Sequence, residues 1–272
     1  MTWRVWFTIG LSVLALAVVL GATAYPISER DHRPASAAFE IPAVEPFEVR
    51  AAITVDDELV LEVAGAETAA GERYMRVVER NTTVERYQAD QNATTCTRYV
   101  DTVPRSEQRE ELLREDPDEE IIDVEDDGDQ RVIVTVADAG TAVEWDARTA
   151  ATVVTTELRL AAYEPIDASA TAAADRRVLA PQSGWYDGSE SYRLTETAGE
   201  VRIDDSSDAI VAADVRWDET PGTRSYLHYL ANRDATITKE ISFKHRPAVT
   251  DGIPGRISAA SQGMGSSSGC PW

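Results

Sequence analysis

The sequence has few of the residues that build most metal, redox and phosphate sites. Its 272 residues include two cysteines and three histidines. Two cysteines are too few for a disulfide-dense scaffold or a thiolate zinc site. The chain has no His-x-x-x-His pair and no glycine-rich phosphate loop, and no Gly-x-Ser-x-Gly motif lies between a predicted strand and a predicted helix. We therefore expect no metal, no cofactor and no enzymatic activity.

Lysine is almost absent. The chain has 48 acidic residues against 26 basic ones, a formal net charge of −22, and its only lysines are Lys239 and Lys244. A surface this acidic repels phosphate backbones, which excludes nucleic-acid binding. The composition resembles that of proteins from salt-accumulating haloarchaea. The alternative is an acidic protein that binds cations or basic partners, but such a role gives no reason to avoid lysine.

Only one long apolar stretch occurs. Val5–Ala24 carries no charge, and twenty residues of helix span about 30 Å, the thickness of a hydrocarbon core. Residues 1–24 are therefore predicted to be a transmembrane anchor or an uncleaved signal. A cleaved signal peptide is the alternative, because Ala22-Thr23-Ala24 has the form of a cleavage site.

Two of the three asparagines, Asn81 and Asn92, lie in glycosylation sequons. Together with the membrane segment, they favour a single-pass cell-membrane protein with an extracytoplasmic body. In that compartment Cys96 and Cys270 either form a disulfide or remain two separate thiols, since the distance between them in the fold cannot be read from a sequence.

Composition divides the rest of the chain into three parts. Residues 25–46 hold four prolines, which predict an extended stalk. Residues 47–246 form the main domain, and residues 247–272 form a flexible Gly/Ser-rich tail.

The main domain alternates apolar and polar residues, which predicts about ten strands. Turn residues at Asp56-Asp57 and at Asp126–Asp129 indicate hairpins, and Arg224–Leu230 is predicted to be a strand. Helical spacing predicts helices at Ser106–Glu115 and Val143–Ala161. We therefore expect an α+β domain: an N-terminal transmembrane helix followed by an antiparallel sheet with a long inserted helix.

This order resembles the half-barrel lipoprotein-carrier and LppX-type lipoprotein superfamily. The runs Arg73–Glu79 to Thr97–Val100 and Glu200–Asp204 to Ile210–Trp217 carry the likeness, which covers roughly residues 47–246. The resemblance implies a sheet curved around helices, with an apolar molecule, often a lipid, held inside. No ligand residue can be transferred, since the likeness has no diagnostic motif.

Late aromatic residues are candidates for lining such a cavity: Trp185, Tyr186, Trp217, Tyr226 and Tyr229. The alternative is that they are core side chains of a sheet. The predicted function is a membrane-tethered, non-catalytic module that binds an apolar or lipid-like ligand. The alternative is a cell-surface structural or protein-interaction domain without a small-molecule ligand.

The densest charge lies in residues 107–129, with thirteen acids and two arginines. Asp123 begins a partial EF-hand frame, but its twelfth position is Val134, where a bidentate carboxylate is required. We therefore expect a solvated acidic surface there.

Overall fold

The computed structural model describes residues 14, 16–19, 21, 39–43, 46–90, 92–139, 147–166, 176–187, 191–247 and 270. Within this part of the chain, no helix has both the length and the apolarity needed to cross a membrane. Most of the predicted anchor, residues 1–24, lies outside the described residues, so the anchor stays a prediction.

Within the described residues, thirteen strands form one open antiparallel sheet. They are β1 (Phe47–Val55), β2 (Glu58–Glu67), β3 (Arg73–Glu79), β4 (Thr82–Gln88), β5 (Thr95–Thr102), β6 (Glu120–Asp127), β7 (Gln130–Ala137), β8 (Tyr163–Pro165), β9 (Arg176–Pro181), β10 (Gly184–Asp187), β11 (Ser191–Asp204), β12 (Ala209–Pro221) and β13 (Ile237–Pro247). The predicted antiparallel architecture with few helices is confirmed. The half-barrel curvature stays a prediction.

The sheet consists of two meanders joined by the pairing of its first and last strands. Its order is β6-β7-β5-β4-β3-β2-β1-β13-β12-β11-β9-β8, and β10 pairs with β11. The junction is antiparallel and runs from Phe47 opposite Pro247 to Val55 opposite Lys239. The two ends of the main domain are therefore neighbours at the centre of the sheet.

Both predicted hairpins are present. Asp56 and Asp57 have φ angles of 51° and 65°, as a two-residue turn of type I′ requires. Gly128 has φ 67° at the tip of the β6–β7 hairpin, in the conformation that glycine adopts at no steric cost.

In the described part of the main domain, three α-helices accompany the sheet: α1 (Val103–Glu115), α2 (Ala147–Leu158) and α3 (Tyr226–Asn232). The first two fall at the predicted positions. The predicted strand at Arg224–Leu230 is wrong, because this stretch lies mostly in α3. Ser225 begins the helix, since its side-chain oxygen accepts the backbone N–H of His228 at 3.4 Å, which satisfies one of the free donors at a helix start.

Both longer helices cover the same face of the sheet. Val77, Val84, Tyr99 and Ile133 are successive cross-strand partners, and such partners share a face. Val77 packs against the core under α2, whereas the other three belong to the cluster that contains Leu113 of α1. We call this the covered face and the opposite one the open face.

The main core lies between α2 and the covered face. Helix α2 buries Ala147, Ala151, Val154 and Leu158 at spacings of three or four residues, which form one helical stripe. Gly65 of β2 lets the helix approach closely, because a Cβ there would lie 2.1 Å from the Cβ of Ala147. The largest fully buried side chains of the core include Trp217, Phe39, Phe47, Leu194, Ile203, Ile210 and Ile241.

Ionic contacts fix both helices to the sheet. Asp101 of β5 is fully buried and accepts hydrogen bonds from Thr82 Oγ1 at 2.6 Å and from Arg109 Nε of α1 at 2.5 Å. Lys239 of β13 donates to Glu157 of α2 at 3.1 Å. The pKa of Lys239 is raised: burial acts against the ammonium form, and neighbouring carboxylates outweigh that effect.

Candidate functional site

The predicted ligand-binding aromatic residues do not form one site. Tyr186 and Trp217 lie in the core on the covered face, with 3% and 0% of their surface exposed. Tyr186 stacks on Tyr192 at 5.6 Å, and its hydroxyl donates to the Gln182 carbonyl at 2.6 Å. Burial raises the pKa of Tyr186. These two residues have the contacts of core side chains.

Trp185, Tyr226 and Tyr229 do come together, on the open face. The ring centres of Trp185 and Tyr229 are 5.8 Å apart in an edge-to-face arrangement, and those of Tyr226 and Tyr229 are 6.1 Å apart. The Arg193 guanidinium lies 4.7 Å from the Trp185 ring and 4.3 Å from the Tyr229 ring. These cation–π contacts hold α3 against the sheet.

Helix α3 exposes its apolar side chains instead of burying them. None of its seven residues is buried, and Tyr226, Leu227 and Leu230 are 37%, 39% and 43% exposed. A surface helix normally turns such residues toward a core. We call Tyr226, Leu227, Tyr229 and Leu230, with Trp185 and Arg193 beneath them, the α3 patch. The aromatic members stood out in the sequence, but the leucines and Arg193 did not.

The charge around α3 differs from that of the whole chain. The helix itself contains no acidic residue, and residues 224–234 contain two arginines and one aspartate. The net charge of the chain is −22. The stretch that contains α3 thus has a small positive net charge in an otherwise acidic chain.

A groove of about 750 Å³ also lies on the open face, along β1 and β11–β13. Small residues, among them Ala198, Gly199 and Ala212, form part of its lining. Its charged residues are Arg50, Glu200, Arg202, Asp214, Arg216, Glu240 and Lys244. Several of these form ion pairs within the face, such as Arg216 with Glu240 at 2.9 Å. The groove is therefore lined by charged residues, several of them paired, and by small residues.

A smaller cleft of about 360 Å³ lies beside α2. Residues 39–43 form one wall, and α2 with Arg159 forms the other. Phe39 of this segment is 1% exposed, so the described residues 39–43 of the predicted stalk pack against the domain.

The predicted glycosylation and disulfide residues lie as follows. Asn81 and Asn92 are both exposed, one before β4 and the other after it. Cys96 and Cys270 are joined in a disulfide, with Cα atoms 5.7 Å apart. Cys270, from the predicted flexible tail, is 5% exposed. Glycosylation at the two asparagines stays a prediction.

The acidic tract at 107–129 folds into α1 and the β6–β7 hairpin. Some of its carboxylates form ion pairs within the domain: Arg131 contacts Asp126 at 2.6 Å and Glu110 at 3.2 Å. Within the described residues, no group of three or more potential ligand side chains is placed to hold a metal ion. Asp123, where the partial EF-hand frame begins, lies in strand β6.

Comparisons with family models, curated proteins and solved structures found no match to this chain. The resemblance to half-barrel lipoproteins therefore stays a prediction. Function must be inferred from the chemistry of the surfaces described above.

Proposed function

We propose that the chain is a non-catalytic protein-binding module and that the α3 patch is its binding surface. The observation that carries this proposal is the exposure of α3. Four of its seven residues are large and apolar, and none of the seven is buried. Exposed apolar patches with a polar rim are typical of interaction sites.

The composition of the α3 patch supports a protein partner. Tyrosine, tryptophan and arginine are the residues that contribute most to binding energy at protein interfaces. Here Arg193 and the buried Trp185 support Tyr229 from below, so the partly exposed Tyr229 ring is held in place before binding. Such preorganisation lowers the entropy lost on association.

The charges favour a particular kind of partner. Two arginines and one aspartate flank α3, a net positive charge, so the proposed complementary surface has apolar side chains at its centre and acidic residues at its edge. A second copy of this chain is a competing occupant, although two chains of net charge −22 repel each other at low salt.

Chemical crosslinking in intact cells tests the proposal. Full-length chains carrying Leu227→Asp and Leu230→Asp together place two charges in the α3 patch. Leu112→Asp is the matched control, because Leu112 is 63% exposed on α1. We expect wild type and the control to form the same crosslinked species, and the double variant to lose it.

An unchanged crosslinking pattern in the double variant would contradict the proposal. Analytical ultracentrifugation of the purified chain adds a second arm. A dimer abolished by the same substitutions would identify the partner as a second copy and would contradict the acidic partner.

Two other parts of the functional hypothesis rest on the sequence. We propose that residues 1–24 hold the domain at the outer membrane face, because this stretch has the length and apolarity of an anchor. Protease treatment of intact cells should degrade the domain, and survival of the domain would place it on the cytoplasmic side of the membrane.

Binding of an apolar or lipid-like ligand also stays a prediction, and lipid extraction of the purified chain would test it.

A further inference from the structure

The cleft beside α2 has one wall made by a helical stripe. Arg148, Thr152, Thr155 and Arg159 follow one another at spacings of four, three and four residues, which places them on one side of α2 and its C-terminal extension. All four line the cleft. The stripe presents a guanidinium at each end and threonines between them.

The opposite wall is held in place by packing. The Ile210 backbone N–H donates to the Glu40 carbonyl at 3.0 Å. Phe39 is 1% exposed and meets the Tyr163 ring edge-on at 5.1 Å. Ile41 and Ala43 continue this wall along the cleft. Both walls are therefore part of the folded domain.

Among the described residues, the side chain of the arginine at the C-terminal end of the stripe has no hydrogen-bond or ion-pair partner. The Nε–H of Arg159 is buried without a hydrogen-bond acceptor, and the described residues place no carboxylate within ion-pairing distance of its side chain. The Nε–H of Arg148 is also buried without an acceptor, but the Arg148 guanidinium lies 4.0 Å from Glu67 and 4.2 Å from the Phe47 ring centre. A buried guanidinium N–H without an acceptor is costly in a folded protein, so the missing acceptor needs an explanation.

We propose that this cleft binds a small organic anion, with its carboxylate or phosphate group at the guanidinium of Arg159. Guanidinium pairs with both groups through two parallel hydrogen bonds. The carbon skeleton of the ligand would pack against Ile41 and Ala43. Glu40 lines the same cleft, so a hydroxyl or amino group is preferred at that position over a second negative charge. A volume of about 360 Å³ lies at the lower end of the range for small-molecule sites.

Thermal unfolding with added anions tests the site. The probes are inorganic phosphate and butyrate, each compared with sodium chloride at equal ionic strength. The variants are Arg159→Gln and, as a matched loss of one positive charge, Arg177→Gln, which removes a half-exposed arginine paired with Asp205 and Asp208. We expect a saturable rise in Tm for wild type and Arg177→Gln, and at least a tenfold weaker response for Arg159→Gln.

A second variant covers the case in which Arg159→Gln does not fold. Ala43→Trp fills the cleft from the opposite wall without changing charge, and it should abolish the response. Equal responses in wild type and Ala43→Trp would overturn the proposal, as would the absence of any saturable response in wild type to free anions or anionic vesicles.

Cosedimentation with phosphatidylglycerol vesicles separates the sources of the anion. Arg159-dependent binding to vesicles alone identifies a lipid headgroup, and a response to the free anions identifies a soluble ligand.

Discussion

The disulfide between Cys96 and Cys270 should provide a large part of the stability of the domain. The two residues are 174 positions apart, so the bond closes a loop that runs from β5 through β13, while β1–β4 lie outside it. In the chain-entropy model, a loop of this length restricts the unfolded state by about 5 kcal/mol. The total free energy of unfolding of a typical domain is roughly 5–15 kcal/mol.

Urea unfolding of Cys270→Ser and of reduced wild type measures this contribution. With a typical m value near 2 kcal/mol/M, both midpoints should fall by about 2.5 M. The m value should also rise, because an unfolded chain without the crosslink exposes more surface. Cys270→Ser with added reductant is the control and should show no further change. Equal midpoints for oxidised and reduced wild type would refute the reasoning.

Three further predictions concern two buried side chains and one glycine with a positive φ angle. Burial, and then the charge of Arg148, lowers the pKa of His245, so the folded state binds the proton less well. The free energy of unfolding should therefore fall as pH drops below about 6.5. His245→Phe should flatten that part of a urea-midpoint series from pH 8 to 5, and an identical slope would count against this prediction. Asp101→Ala removes the carboxylate that Arg109 of α1 contacts, and it should lower the free energy of unfolding by about 3 kcal/mol in a denaturant titration. A decrease below about 0.5 kcal/mol, the size of an ordinary surface substitution, would show that the contact is not stabilising. Gly199→Ala should destabilise the protein by more than about 2 kcal/mol in the same assay. The reason is that Gly199 has φ +92° and that a Cβ there would lie 2.0 Å from a carbonyl oxygen of β12. An unfolding midpoint equal to that of wild type would contradict that geometry.

Local signals predicted local structure well. The Asp56-Asp57 pair and Gly128 mark hairpins by their own backbone preferences, and the spacing of Ala147, Val154 and Leu158 marks a helix that buries one side. Arg224–Leu230 was predicted wrongly. Its apolar residues fit a short strand as well as a helix, and the deciding contact, the Ser225 cap, depends on the backbone geometry before it.

Non-local contacts account for what the sequence did not reveal. The pairing of β1 with β13 joins Phe47 to Pro247, and no local pattern encodes a contact across such a distance. For the same reason, the five candidate aromatic residues divide between two faces of the sheet. The cleft beside α2 depends on Phe39, which lies in a segment that the prolines had indicated to be an extended stalk.

Site-specific photo-crosslinking tests the central proposal most directly. A benzophenone amino acid at Leu230 in α3, and separately at Leu112 in α1, places the same probe on two exposed helices of the same chain in intact cells. The protein-binding proposal predicts one defined adduct from position 230 and none from position 112. Adducts of equal yield from both positions, or an adduct only from position 112, would contradict the assignment of α3 as the binding surface.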